Sequence, residues 1–339
     1  MSDPREQRPV RVLQSFGGPR PTTNPYLVQL LDSLPADVRA RTFSWRDALR
    51  GDYDVLHVHW PELLVRSAGR GRTALRRLAF TALMLRLLLR RSAVVRTLHN
   101  VSPHEGGSAS ERALLRWLDR STTRYVRLNP ATEPPTAAPV DTILHGDYTR
   151  WYADQTVPDP VPGRVLHFGL VRPYKGVEEL LDAFAAVTTP GAQLRLVGRA
   201  TDDGLAARIR AAERTDARVS TLLDYVDDET LAHEVGSASL VVLPYRRMHN
   251  SGALLLALSL GRPVLVPSNE VTEALAQEVG GHWVRTYPGD AVTTAAVEEA
   301  LSLPVDGVPG PDLSRRDWTD IGRLHRDTYR AAVTARRAG

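Results

Sequence analysis

The sequence predicts an α/β protein built from two doubly wound domains, each a parallel sheet with helices on both faces. Three observations lead there. A chain of 339 residues is long for one core and comfortable for two. Short apolar runs with strand character alternate with helical segments from end to end, the pattern of a parallel sheet joined by crossover helices. A proline-rich stretch, "DQTVPDPVPG", divides these runs into two sets of six.

In the first set the strands are Val10–Phe16, Ala40–Trp45, Asp54–Trp60, Ala93–Asn100, Arg124–Leu128 and Val140–Leu144. The loop "NPATEPPTAAP" is also rich in proline, but an apolar run follows it, so it belongs inside the first domain. In the second set they are Arg164–Leu170, Gln193–Gly198, Val219–Tyr225, Leu240–Tyr245, Pro263–Pro267 and His282–Thr286. Residues 1–150 form the first domain, 151–163 the linker and 164–314 the second domain, with a helical tail over 315–339.

Composition excludes several classes. With 42% hydrophobic and 24% charged residues this is an ordinary globular chain. The absence of cysteine removes disulfides, thiolate catalysis and thiolate-ligated metal. The start, "MSDPR", has no hydrophobic signal region, and no uncharged run approaches the roughly 20 residues that span a bilayer. The expected location is cytoplasmic.

Charge is unevenly spread. Between Arg66 and Arg96 there are nine arginines and no acid, so this segment carries +9 while the rest of the chain sums to −5. Within it "RTALRRLAFTALMLRLLLRR" (72–91) reads as one helix. Arg72, Arg76, Arg77, Arg86, Arg90 and Arg91 fall on about half its circumference at 100° per residue, with Phe80, Leu83, Met84 and Leu87 among them. Such a mixture suits a helix lying on an anionic lipid surface, peripheral on the inner face of the membrane. It equally suits a packing helix with a solvated basic face. Nucleic acid is disfavoured, since no aromatic-rich basic sheet or recognition helix accompanies the charge.

Ligands of open parallel sheets bind outside the carboxyl ends of the strands, and polar residues gather there in this chain. The first set offers "FGGPRPTTNPY", "HVHWPE", "LHNVSPHE" and "HGDY"; the second offers "HFGLVRPYKG", Gly198-Arg199 and "YRRMHNSG". Two sheets with chemistry at these edges are expected to form a cleft.

In "HFGLVRPYKG" a strand ends at Gly169, Arg172 and Lys175 follow, and Gly176 precedes the helical "VEELLDAFAAV". Lys175 is the only lysine of the chain, against 42 arginines. A compact ammonium beside a forked guanidinium at a helix start suits a phosphate group; it equally fits a basic surface turn. In "HNSGALLLALSLGRPVLVP" an uncharged helix opens on the small polar turn Asn250-Ser251-Gly252. Its N–H groups are placed to face a phosphate.

"HFGLVRPYKGVEELLDAF", "LRLVGR" and "LVVLPYRRMHNSGALLLALSLGRPVLVP" together resemble the donor domain of GT-B glycosyltransferases of the glycogen-synthase-like, bacterial polysaccharide-assembly type. "SFGGPRPTTNPY", "VLHVHWPE" and "TLHNVSPHE" are similar to the acceptor domain of the same proteins. The resemblance covers nearly the whole chain. It implies sugar transfer from a nucleoside-diphosphate sugar, GDP-mannose slightly favoured, to a lipid-linked or other amphipathic acceptor, with no cofactor and no metal. It places Arg172 and Lys175 on the diphosphate and sends the C-terminal helix back to the first domain. Gly17 and Gly18 would let the first domain's backbone approach the same phosphate, unless they simply make a tight turn. Gly169, Arg199, Tyr225 and Tyr245, at strand ends of the second domain, are assigned to the nucleotide or sugar. His59, Trp60, His99, Asn100 and His145 are assigned to the acceptor or to orienting substrate.

One departure stands out. Many relatives carry two glutamates eight positions apart around this helix, and the aligned positions here are Met248 and Leu256. The ribose is then held otherwise, and the retaining course of those relatives does not transfer. An inverting transfer needs a general base near the acceptor hydroxyl. Glu105 and His104, after a strand and beside Gly106-Gly107, are the first candidates, with Glu62, Asp147 and His59 behind them. His57, His59, His99 and His104 read as a metal cluster only weakly, since no acid-rich or His-x-x-x-His helix supports it. The missing glutamates keep open a catalytically silent nucleotide-sugar-binding subunit; a nucleotide-sugar epimerase on the same plan is the other alternative. A dehydrogenase is disfavoured for want of Gly-x-Gly-x-x-Gly after the first strand.

Overall fold

The computed structural model describes residues 8–99, 107–246, 248–303, 305 and 307–338. Two compact units divide the chain: residues 1–146 with 316–339, and residues 147–315.

The sheet of the first unit has the order β2-β1-β3-β4-β5-β6, formed by β1 (Val10–Gln14), β2 (Val38–Arg41), β3 (Val55–Val58), β4 (Ala93–Leu98), β5 (Arg124–Arg127) and β6 (Val140–Thr142). That of the second has the order β12-β11-β10-β7-β8-β9, formed by β7 (Arg164–Phe168), β8 (Gln193–Val197), β9 (Val219–Leu222), β10 (Leu240–Val242), β11 (Val264–Pro267) and β12 (Val284–Tyr287). Every pairing is parallel. Hydrogen bonds along a parallel ladder leave both faces to be covered, and helices cover both in each unit. In the first, one face packs under the helices Pro25–Ser33 and Trp318–Ala338 and the other under Trp45–Arg50, Arg70–Leu89 and Ala109–Ser121. In the second, the helices Val177–Ala185, Asp203–Thr215 and Thr294–Ser302 cover one face, and Asp228–Gly236, Gly252–Ser259 and Glu270–Val279 the other.

The strands fall where the apolar runs lie, with most ends shortened because the polar residues after each strand leave the ladder. One expectation needs correction. The second strand runs over Val38–Arg41 rather than Ala40–Trp45, because Ser44 caps a helix that starts at Trp45, its Oγ accepting the Asp47 N–H at 3.0 Å. Tyr148 and Tyr152 lie in the core of the second unit, and the proline-rich segment after them packs on that unit. Arg262 Nη2 donates to the Pro158 carbonyl at 2.8 Å, and Val161 N to that of Ser237 at 2.9 Å.

The C-terminal helix is part of the first unit and contributes Trp318, Ile321, Tyr329 and Ala332 to its core. Gly322 allows its close approach to the helix Pro25–Ser33: a Cβ there would sit 1.9 Å from the Ser33 carbonyl oxygen.

The basic helix spans Arg70–Leu89, and its faces differ from the expectation. Phe80, Leu83, Met84 and Leu87 do not share an outward surface with arginine; all four are buried against the sheet. Arg76, Arg77 and Arg86 turn onto the protein's own acceptors. Arg76 donates to the Leu63 and Arg66 carbonyls, Arg77 to Ser108 and Ser110, and Arg86 to the Gly51 carbonyl while lying 4.3 Å from the Tyr53 ring centroid. What faces outward is leucine: Leu75, Leu78, Leu85 and Leu89 are 50–84% exposed, with Arg72, Arg90 and Arg91 exposed beside them. Among the described residues no helix is long and apolar enough to cross a membrane.

Candidate active site

In the second unit β7 lies between β10 and β8, so the chain leaves it in opposite directions and opens a crevice at the strand ends. Gly169, with φ +102°, ends β7, and Pro173–Lys175 forms a single 3₁₀ turn before the helix Val177–Ala185. This turn returns Lys175 to the crevice. Its Nζ donates to the Tyr245 hydroxyl at 3.0 Å and lies 4.6 Å from that ring's centroid. A Cβ on Gly169 would come within 3.3 Å of Nζ, so glycine there leaves the ammonium its room. Burial pushes the Lys175 ammonium down to about 8; Tyr174 opposes the shift and the nearby Arg172 charge adds to it. An anion placed here would restore the ordinary value.

Tyr245 is buried and follows β10, and burial pushes its phenol upward, keeping it a neutral acceptor for the lysine. His167, within β7, meets the Tyr245 ring edge to face with centroids 6.2 Å apart. Its Nδ1 donates to the Val242 carbonyl at 2.9 Å, while Nε2 is buried with no partner among the described residues. Burial, with the Lys175 charge second, lowers this imidazole to about 3.

Ser251 is the N-cap of the helix Gly252–Ser259, its Oγ accepting the Leu254 N–H at 3.2 Å. The hydroxyl is therefore engaged in capping, and the first-turn N–H groups of Gly252 and Ala253 are those without an intrahelical acceptor. Asn250 is half-buried just before the cap. Met248 and Leu256 are core residues, and the Met248 carbonyl accepts Asn269 Nδ2 at 3.2 Å. The Arg199 and Tyr225 side chains are exposed, outside the Lys175–Tyr245 contact.

In the first unit the equivalent crossing lies between β1 and β3, where Gln14 and His57 are register partners. Here the polar groups are neutral and bonded to one another. His59 Nε2 is 3.0 Å from Gln14 Oε1 and its Nδ1 is 3.0 Å from His99 Nε2. Gln14 Nε2 donates to the Tyr329 hydroxyl at 3.2 Å, which is 2.8 Å from His57 Nδ1; His57 Nε2 is 2.8 Å from Thr97 Oγ1. Trp60 stacks on His99 with centroids 4.3 Å apart and planes 19° apart. Burial holds His57 and His59 well below the usual imidazole range, His99 at about 3 and His145 at about 4.

These contacts revise the readings of the histidines. Both ring nitrogens of His59 are committed within the chain of bonds, so it is not placed as a base that touches substrate. His145 is buried, its Nδ1 donating to the Gly146 carbonyl at 2.8 Å. Among the described residues no group of three or more His, Asp or Glu side chains is placed to hold a metal. Gly17 and Gly18 are exposed with no positive φ, so neither is required by a left-handed turn, and the space around Gly17 is open. Asn100, His104 and Glu105 lie outside the described residues. Gln14, Thr97 and Tyr329 were not singled out by sequence. Gln14, the uncharged polar residue that closes the strand "VRVLQ", was the available signal.

Comparison with known proteins decides the family. Residues 162–302 match the family described as Glycosyl transferases group 1. A GDP-mannose:glycolipid 4-beta-D-mannosyltransferase from Xanthomonas campestris pv. campestris is 48% identical over 327 residues, covering 96% of this chain and 93% of its own. The chain belongs to the GT-B glycosyltransferases. Solved glycosyltransferases share the fold at low identity. HepE from Anabaena, determined with UDP, has a TM-score of 0.59 at 14% identity over 97% of both chains. AviGT4, from avilamycin A biosynthesis, has 0.57 at 18% identity, over 96% of this chain and 98% of its own. WaaG, from lipopolysaccharide biosynthesis, has 0.53 at 14%, over 96% and 98%. As a GT-B glycosyltransferase the chain is an enzyme, and its two sheets are the two Rossmann-like halves of that fold.

Proposed function

We propose that this glycosyltransferase moves mannose from GDP-mannose to a hydroxyl of a lipid-linked saccharide, working without a metal at an anionic membrane surface. The observation that carries the substrate pair is the 48% identity, spanning both domains, to a GDP-mannose:glycolipid mannosyltransferase. In the second unit, Lys175 and Arg172 supply positive charge for the diphosphate of donor and leaving group, and the start of the helix Gly252–Ser259 supplies further N–H donors. A β-linked product from an α-linked nucleotide sugar is an inversion, which requires a proton acceptor for the attacking hydroxyl. Glu105 or His104 is the proposed acceptor, with Asn100 and His99 orienting substrate.

The membrane surface rests on the basic helix. Leu75, Leu78, Leu85 and Leu89 form an outward row with spacings of three, seven and four, flanked by Arg72, Arg90 and Arg91. An apolar stripe edged with cations matches the interface of an anionic leaflet.

The test incubates the protein with GDP-, UDP- and TDP-sugars and a lipid-linked saccharide, following nucleoside diphosphate release and product anomer by NMR. GDP release from GDP-mannose with a β-mannosyl product is expected. Release only from a different nucleotide sugar, or an α product, would overturn the substrate or the course. Sedimentation with phosphatidylglycerol vesicles tests the surface: L78S/L85S/L89S and R72S/R90S/R91S should each lose vesicle binding, and retention by both would sink it.

A further inference from the structure

The buried groups at the β7/β10 crossing leave one donor and one acceptor unanswered. A carbonyl oxygen only accepts, so the bond from His167 to Val242 places the ring proton on Nδ1. Burial holds the ring neutral near pH 7, and its Nε2 is therefore a buried lone pair, with no partner among the described residues. The Tyr245 ring meets it edge to face. The phenol accepts from Lys175 Nζ, and among the described residues nothing takes the phenol's own proton. A buried lone pair without a donor and a buried hydroxyl without an acceptor each cost stability, and each relieves the other. A small turn of either ring, or one water between them, closes the distance.

We infer that His167 is a positioning residue for Lys175: its Nε2 takes the Tyr245 hydroxyl proton, which turns the phenol oxygen's lone pair toward the ammonium. A phenol O–H lies in the plane of its ring and chooses between two directions, and the lone pair of His167 decides between them. The surrounding backbone holds these side chains in place. His167 and Val242 lie on the adjacent strands β7 and β10. Tyr245 follows through a three-residue turn closed by its N–H on the Leu243 carbonyl at 2.9 Å, and Arg246 N donates to the Tyr174 carbonyl at 3.1 Å. Gly176, at φ +69°, packs so tightly on Pro244 that a Cβ would stand 2.1 Å from its carbonyl oxygen. The turn bearing Lys175 and the loop bearing Tyr245 are thus one packed piece, and His167 is the strand residue buried against it. The consequence for a diphosphate is an ammonium aligned before the anion arrives, which spares the cost of ordering it on binding. That consequence rests on the proposed glycosyl transfer; the bond chain does not.

Lys175 is the only lysine of the chain, so ¹³C-labelled lysine gives a single Cε signal in the full chain, and ¹⁵N-labelled histidine reads which ring nitrogen of His167 is protonated. Arg172, Tyr174, Tyr245 and His167 surround this ammonium, and Glu179 in the following helix is tied to Arg246. In the native protein His167 should be neutral with its proton on Nδ1, and the Lys175 signal should titrate at about 8. H167F and Y245F should each carry that titration to lower pH and weaken GDP binding about threefold to tenfold, because a poorer acceptor favours the ammonium less. H167F/Y245F should go no further than Y245F alone. H167Q, whose amide oxygen falls near the place of Nε2, should restore most of the native titration; H167N, which keeps only the donor to Val242, should not. A native His167 protonated on Nε2 overturns the inference without any variant. So does a folded H167F in which the Lys175 titration is native. If the variants move Lys175 as stated but neither GDP nor any nucleotide sugar shifts its signal, the transferase reading fails while the positioning role stands.

Discussion

At the end of β7 the second unit keeps an ammonium half-buried against one phenol, its charge unmatched by any carboxylate among the described residues. At the ends of β1 and β3 the first unit keeps a chain of neutral groups in which nearly every donor meets an acceptor. The two sheets differ in strand order, but each reverses direction beside its first strand, and these groups lie at that reversal. The difference shows that the fold fixes where a crevice lies, while a few side chains decide what it does. An ammonium held below its ordinary value by burial gains from a nearby anion, the basis of the proposed diphosphate contact. The neutral imidazoles of the first unit are held to one another, to an amide and to a phenol by hydrogen bonds.

The largest effect expected is at Lys175. K175A should lower turnover with the nucleotide sugar at least about a hundredfold and weaken GDP binding by calorimetry. The K175R variant should rescue little, since the site between Gly169 and Tyr245 fits a compact ammonium. Normal kinetics for K175A would remove the charge from the comparison.

Next is the pH dependence of GDP binding. Lys175 titrates near 8 in the free protein, with Arg172, Tyr174, Tyr245 and His167 around it. A bound diphosphate raises that value, so binding takes up a proton above pH 8. The affinity should then fall by up to about tenfold per pH unit from 8 upward. The same group carries an unfolded value near 10.5, so between 8 and 10.5 the unfolded chain holds the extra proton, and its contribution to folding stability rises with pH across that window. Flat GDP affinity from pH 7 to 10 would contradict the assignment.

A smaller effect should mark the first unit. Y329F removes the hydroxyl that joins His57 to Gln14. It should cost about 1–3 kcal/mol in urea unfolding, because it leaves buried partners unpaired. The kcat should drop several-fold with GDP affinity unchanged. A change in GDP affinity as large as that in kcat would show that the two crossings are not separable. The smallest expected effect is that of a chelator: turnover in excess EDTA should match turnover without it, and loss of activity would replace the cation reading of the second unit.

Much of this was legible in the sequence because it is local. Twelve strands announced themselves as apolar runs, and Lys175 stood out as the lone lysine beside a glycine-ended strand. What was missed is non-local. The face of the basic helix went wrong because a helical wheel gives angles but not which angle meets the sheet. Phe80 and Leu83 are buried in one core cluster with Leu56 of β3 and Val94 of β4, residues distant from them in sequence. Ser44, a cap rather than a strand residue, shows a short-range choice settled by a side chain that competes for backbone N–H groups.

By itself the sequence determined two parallel α/β domains, a cationic turn after the seventh strand, and the absence of acids at positions 248 and 256. These follow from periodicity, composition and residue chemistry, which act over a few neighbours. Only the tertiary structure decided that Lys175 rests on Tyr245, 70 positions away, and that Tyr329 closes a bond chain with Gln14, 315 positions away. Hydrogen bonds between such distant residues have no signature in local pattern. They exist because the sheet order brings the strand ends together and the C-terminal helix returns to cover them.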